Sequence, residues 1–413
     1  MQNKNDWKLF AALTAWALLP SVYLLVRMHI VAANSVDINI LGQMEWFDLI
    51  DEVLVTTLTV PLYSLLKPKN AGASAARNTV AFLLSFCVYS LFAVFVALHV
   101  GSIAAYMNAE AATQFLLLQT GAMLIAFVST FMVLLLTINS DFESVRTLTI
   151  ARLLLLVLFD LIFIPAFAES GAAYSEMLSN AVVAAASLGL CTGRRLVTPR
   201  VRSAFDGCVI WLKQWLRSGV FAGIQIFLDN YIYAVMICKM VNAVSESGNY
   251  WVANSFIWGW LLVPVTCFAE IIKKNSLEKL DRKYVWRYAG MIAAVWAFTV
   301  PFWNPFLHKA MAVENTDVIL AILYPSVLFY LTYIPSAFID GWFVSRGRTE
   351  YLAIISAFVN IVYYGILYLL VRRGVFTASI VFVVQMFGWG MVAHLALSVL
   401  LYLFERRHAV KRA

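Results

Sequence analysis

Apolar runs, each about as long as a bilayer's hydrocarbon core is thick, recur from one end of this 413-residue chain to the other. A soluble domain has no use for so much apolar surface: 62% of the residues are hydrophobic, 13% are charged, and the mean hydropathy is +0.81. In lipid, only a helix satisfies its own backbone polar groups within one exposed segment. The sequence therefore predicts an all-α polytopic membrane protein. Twelve spans are expected, at 8–32, 43–66, 78–103, 112–138, 146–168, 173–192, 219–242, 250–272, 284–303, 316–340, 351–371 and 376–404. The first run, from near Trp7 past Val26, is too long for a signal-peptide core, so no cleavable leader is expected.

The loops alternate in charge. The N-terminal segment (Lys4, Lys8), "KPKNAGASAAR", the central loop (Arg194, Arg195, Arg200, Arg202, Lys213, Arg217), "KKNSLEKLDRK" and the C-terminal "ERRHAVKRA" are basic. The intervening loops mostly carry isolated acids such as Asp37, Glu110, Glu169 and Glu246; Lys309, Arg372 and Arg373 are exceptions. The positive-inside rule then puts both termini in the cytoplasm, and a cytoplasmic (inner) membrane location is expected. A net charge of +7 fits basic cytoplasmic loops, and no base-stacking aromatic motif points to nucleic acid. The polar connection 193–218 divides the chain into an N-terminal six-helix bundle, 1–192, and a C-terminal one, 219–413, expected to be related by pseudo-two-fold symmetry. Its "FDGCVIWLKQWLRSG" suits an amphipathic helix in the interface as well as it suits an ordinary linker.

Charges within spans cost about 2.5–3.5 kcal/mol each at a helix centre and must face a cavity or a partner. In "GVFAGIQIFLDNYIYAVM", Gln225, Asp229 and Tyr233 form one polar stripe, with Asn230 beside it. That stripe suits a cation or a proton; a fixed pair with Lys239 is the alternative. Asp160 lies deep in span five, two turns after Arg152, a spacing that also allows a static pair. Span two opens "EWFDLIDEV", where Glu45, Asp48 and Glu52 share a face and Asp51 and Glu52 lie deeper. Asp340 ends span ten within reach of Arg346 or Arg348, and Pro335 kinks that span. Trp258, Trp260, Tyr330 and Tyr333 suit either core packing or an aromatic or cationic ligand. The five cysteines and five histidines are dispersed, so no metal site or resident cofactor is expected. There is no Walker loop, GxGxxG or HExxH, so no enzyme is expected, and transport would use an ion gradient or run downhill.

Four segments narrow the class. "GWFVSRGRTEYLAI" resembles the junction of spans ten and eleven in the multidrug and toxic compound extrusion (MATE) family of the MOP flippase superfamily. "GVFAGIQIFLDNYIY" and "LFDLIFI" resemble that family's seventh and fifth spans, and "GNYWVANSFIWGWLLVP" an eighth span. The resemblance implies an H⁺- or Na⁺-coupled exporter of amphipathic organic compounds that works as a monomer among membrane lipids. It implies ion coupling at Asp229 and Asp160; Asp51 joins them as a candidate through its depth in span two. The substrate cavity is expected to use Gln225, Asn230, Tyr233, Asn254, Trp258, Tyr330, Tyr333 and Asn360, with Arg27, Arg152 and Lys239 as its basic residues. The chain departs from the family at three points. Arg27 stands where an acid usually ends span one, Leu156 replaces the Asn before the fifth-span acid, and the tenth-span acid falls near Pro335. The N-terminal cation site is thus altered, which makes Asp229 the principal expected coupling residue. A lipid-linked saccharide flippase of the same superfamily and a non-transporting scaffold remain alternatives.

Overall fold

A computed structural model describes residues 4–59, 62, 66, 71–139, 141–198, 208–275, 282–346, 348–377 and 379–412. Among these residues there is helix and no strand. The chain runs through α1 (Lys4–Ala33), α2 (Met44–Thr59), α3 (Ala71–Tyr106), α4 (Thr113–Ile138), α5 (Phe142–Phe167), α6 (Glu169–Gly193) and α7 (Cys208–Ile232). It continues through α8 (Ser247–Phe256), α9 (Val263–Asn275), α10 (Arg282–Thr299), α11 (Thr316–Ser345), α12 (Thr349–Ala357), α13 (Gly365–Arg372) and α14 (Ile380–Arg412). π-helical turns at Tyr233–Cys238, Ile257–Leu261 and Phe358–Tyr364 follow α7, α8 and α12 without a loop.

Eight described helices are long and apolar enough to cross a bilayer, and nine if the pair Ser247–Leu261 and Val263–Ile272, bent by 48°, is one span. The other three expected spans lie on α2, α6 and α7. The described part of α2 is 16 residues long and carries four carboxylates, α6 holds a run of Ala, Gly and Ser, and α7 has Lys213 and Arg217 in its early turns. Residues 208–218, expected as either an amphipathic helix or a linker, are the first turns of α7. Trp215 there is buried and donates from Nε1 to the Leu58 carbonyl at 2.9 Å.

Two compact units emerge, and they do not follow the sequential halves 1–192 and 219–413. One is the continuous stretch Ile30–Ala234; the other joins Met1–His29 to Val235–Ala413. Most of α1 therefore packs in the discontinuous unit. Ser21 Oγ donates to the Gly259 carbonyl at 2.8 Å, and the Phe10 ring meets Tyr288 edge-on at 5.4 Å. α7 instead packs in the continuous unit against α2. Gly223 makes this possible, because a Cβ there would come within 2.1 Å of Thr57 Oγ1. The core of the continuous unit gathers Leu58, Tyr89, Phe127, Phe131, Met132 and Leu135 from α2, α3 and α4. Phe127 and Tyr89 stack at 4.5 Å. α5 and α6 form a tight hairpin at Ala168, where φ is +50°.

Candidate functional site

The carboxylates of α2 point in different directions because α2 packs against α3, α4 and α7. Toward α7, Asn230 Nδ2 donates to Glu52 Oε2 at 3.0 Å and to the Leu49 carbonyl at 2.9 Å. Tyr233 OH reaches Glu45 Oε1 at 3.5 Å. Toward α3, the Tyr89 hydroxyl donates to Asp51 Oδ1. Asp48 feels the charges of Glu176 on α6 and Arg152 on α5 as well as its neighbours Asp51 and Glu45. Asp48 keeps an accessible face although protein surrounds it deeply.

Glu176 is half-buried, and Gln119 on α4 donates to its Oε2 from Nε2 at 2.6 Å. The amide oxygen of the buried Gln119 has no hydrogen-bond partner. An orphaned buried acceptor costs about 1–3 kcal/mol. Here it lies one amide group away from a carboxylate, so any proton or cation held by that carboxylate has a second oxygen within reach. On the adjoining face, Arg152 Nε donates to Asn180 Oδ1 at 3.0 Å, and Asn180 Nδ2 donates to the Ala122 carbonyl at 3.2 Å. Arg152 thus turns to Asn180, and the Arg152–Asp160 pair allowed by sequence does not form. Asp160 is fully buried on α5.

The remaining expected site residues separate. Asp229 is exposed on α7, and the side chain of Gln225 lies outside the described residues. In the discontinuous unit, Trp258, Tyr330 and Tyr333 form one aromatic group. Trp258 Nε1 donates to Tyr330 OH at 3.2 Å, and the Trp258 and Tyr333 rings meet edge-on at 5.5 Å. Asn254, just before the second π turn, and Asn360, within the third, are buried, with Asn360 Nδ2 donating to Ser356 Oγ at 3.2 Å. Arg27 is buried with its guanidinium over the Tyr23 ring at 5.3 Å, and Lys239 is half-buried. Asp340 does not pair with Arg346 or Arg348. It accepts from His394 Nε2 at 2.9 Å and Ser398 Oγ at 3.2 Å, while Arg348 binds Glu350 and Glu405.

Sequence reading did not single out Gln119, Glu176 or Tyr89. Only Glu176 gave a signal, through Asn180 four residues on in an otherwise small-residue helix. The other two look like ordinary span residues until α3 and α4 are brought beside α2.

No family model matches the chain, and no curated protein does. Solved structures do. An inward-facing multidrug resistance MATE family transporter of the MOP superfamily shares 17% identity over 95% of this chain and 96% of its own, with a TM-score of 0.73. A MOP superfamily transporter from Pyrococcus furiosus, described as having a binding pocket of reverse polarity, shares 17% identity over 98% and 96%, with a TM-score of 0.69. The Vibrio cholerae MATE transporter VcmN in its bent form shares 14% over 98% of each chain, with a TM-score of 0.64. The fold is that of the MATE transporters of the MOP superfamily. The chain is an integral membrane protein built on that twelve-helix plan.

Proposed function

We propose that the protein is a proton-coupled secondary exporter of amphipathic, cationic organic compounds. It works as a monomer in the cytoplasmic membrane with both termini inside. The observation that supports coupling is the α2–α4–α6 cluster, in which the charges of Asp48 and Glu176 oppose each other and the buried Gln119 oxygen stands unpartnered beside Glu176. With Glu176 ionised, its oxygen accepts from the Gln119 amide. With Glu176 protonated, the acid becomes a donor, and a half-turn of the amide presents an oxygen to it. The carboxyl group thus has a hydrogen-bond partner on Gln119 in either protonation state. In this reading coupling centres on Asp48 and Glu176, not on the exposed Asp229. Loss of a negative charge at the cluster biases the equilibrium between inward and outward states, as any ligand with unequal affinity for two states does.

The test is uptake of a fluorescent organic cation into everted vesicles or proteoliposomes under imposed H⁺ or Na⁺ gradients. Wild type should respond to H⁺. Glu176→Gln and Asp48→Asn should lose at least about tenfold of the gradient-driven rate, the factor given by ~1.4 kcal/mol of coupling. Asp229→Asn should keep most of it. Equal rates for Glu176→Gln and wild type, or loss confined to Asp229→Asn, would return coupling to α7.

A further inference from the structure

A cavity of about 300 Å³ lies within the continuous unit, among α2, α4, α5 and α6. It starts beside Thr137, next to the last residue of α4, and reaches Arg152, about 15 Å along α5 from Phe142 at 1.5 Å per residue. Its lining is rich in hydroxyls, from Thr59, Ser129, Thr130, Thr137 and Thr149. Arg152 is the charged group among them, and no described carboxylate lines the space.

Arg152 is held ready for a guest. Its Nε donates to Asn180 Oδ1 at 3.0 Å, and Asn180 is itself anchored to the Ala122 carbonyl. That bond orients the guanidinium. The two terminal amino groups make no hydrogen bond or ion pair among the described residues. Asp48 feels the charge of Arg152 but is no part of the lining. Arg152 is exposed, yet not to lipid. At about 100° per residue it lies on the side of α5 opposite Ile150, Leu154 and Leu161, which form an exposed apolar stripe.

The hydroxyls offer the other half of a polar match. Thr59, Ser129, Thr137 and Thr149 each donate to a carbonyl one turn back, at 2.8 to 2.9 Å. Their protons are committed and their remaining lone pairs are not. Thr130 is exposed and holds no hydrogen bond among the described residues, so its hydroxyl can still donate. The walls thus combine a fixed cationic fork, one spare hydroxyl donor and a row of acceptor oxygens. An organic cation is repelled by Arg152, and an uncharged polyol leaves the fork unused. A carboxylate spends both oxygens on the fork, whereas a phosphate has a third for Thr130. Hydroxyl groups on the same guest donate to the Ser and Thr oxygens.

We propose that this cavity binds a phosphate ester that carries hydroxyl groups, with the phosphate on Arg152 and the hydroxyls on the Ser and Thr oxygens. A soluble polyol phosphate and the headgroup of phosphatidylglycerol present the same chemistry. The inference goes beyond the transport reading and does not rest on it.

Saturation-transfer NMR of glycerol 3-phosphate, with the full-length protein in phosphatidylcholine nanodiscs and empty discs as background, tests it. n-Propyl phosphate lacks the hydroxyls, and glycerol lacks the phosphate. Wild type should bind glycerol 3-phosphate saturably and at least about fivefold more tightly than propyl phosphate, as two neutral hydrogen bonds give. Glycerol should not bind saturably. Arg152→Gln should weaken glycerol 3-phosphate at least about tenfold, as loss of hydrogen bonds to a charged group does. Thr137→Val combined with Thr149→Val should remove most of the preference over propyl phosphate with Arg152 intact. Discs containing phosphatidylglycerol separate the two sources. If the lipid headgroup fills the cavity, they suppress the signal and phosphatidylserine discs of equal charge do not; equal signals in both mark a soluble ester. The proposal is overturned if glycerol 3-phosphate shows no saturable binding above empty discs, or if wild type binds propyl phosphate equally well. It is also overturned if Arg152→Gln binds as wild type does. The wild-type comparison decides even if a variant fails to fold. No gradient is imposed, so absent binding sinks this inference alone, and absent gradient-driven uptake sinks the coupling reading alone.

Discussion

Ala168 holds φ +50° and ψ −126° at the turn between α5 and α6, a conformation that costs a Cβ-bearing residue of order 1–3 kcal/mol. Three residues on, a Cβ on Gly171 would come within 2.2 Å of the Phe163 carbonyl. Ala168→Gly should therefore stabilise the protein by about 1 kcal/mol, read as a higher Tm in detergent. Gly171→Ala should lower the Tm; an unchanged value would mean that the hairpin has room the structure does not show. The same residue scale explains what the sequence could and could not reveal. Asp51, Asp48 and Glu52 drew attention because charge is conspicuous in an apolar run. Tyr89 and Gln119 did not, since a tyrosine or a glutamine in a span becomes a site residue only through its neighbours on other helices. The direction each acid faces was equally hidden. Glu52 and Asp48 share a helical face by spacing, yet Asn230 takes one while the other looks to Glu176 and Arg152. Arg152 and Asp340 chose Asn180 and His394 for the same reason: partners on an adjacent helix outcompeted the ones predicted along the chain.

The helices themselves were legible from length and hydropathy, because a bilayer imposes both. Their interruptions were not. Tyr233, Trp258 and Asn360, all expected at a cavity, each fall in a π-helical turn. Such a turn inserts one residue into the backbone ladder and is found often at functional positions. No residue type marks it in advance. Small residues at helix crossings are a second feature of this scale. A Cβ on Gly388 would fall 2.0 Å from the Phe329 ring where α14 meets α11, and Gly223 is as close to Thr57 where α7 meets α2. Close backbone approach is what small residues supply between membrane helices. Gly223→Val should force α7 from α2 at a cost above ~1–3 kcal/mol. It should expose the indole of Trp215 to quenchers and lower the Tm. A Tm within a degree of wild type would show that the two helices do not need this contact.

At the scale of the whole molecule, span count and loop charge point to six-plus-six, but they specify order along the chain and not which helices pack together. The compact units cut through α1 after His29 and through the π turn after Ala234. Each unit should respond to damage as a block, since cooperative units open together. Phe131 is fully buried in the core of Ile30–Ala234, and Phe131→Ala should cost about 3–5 kcal/mol. Hydrogen exchange should then accelerate across 30–234 and much less across 235–413. Uniform acceleration over both would merge the two units into one.

The discontinuous unit also sets an order of events at the ribosome. Residues 1–29 emerge first, but the chain they pack with begins at Val235. At ~5–20 residues per second, everything from Ile30 to Ala234 takes roughly 10–40 s to synthesise. Through that interval the opening helix, with Arg27 aboard, has none of its final neighbours from 235–413. Its arginine must be sheltered by lipid headgroups, by the insertion machinery or by a borrowed contact until residues from Val235 onward arrive.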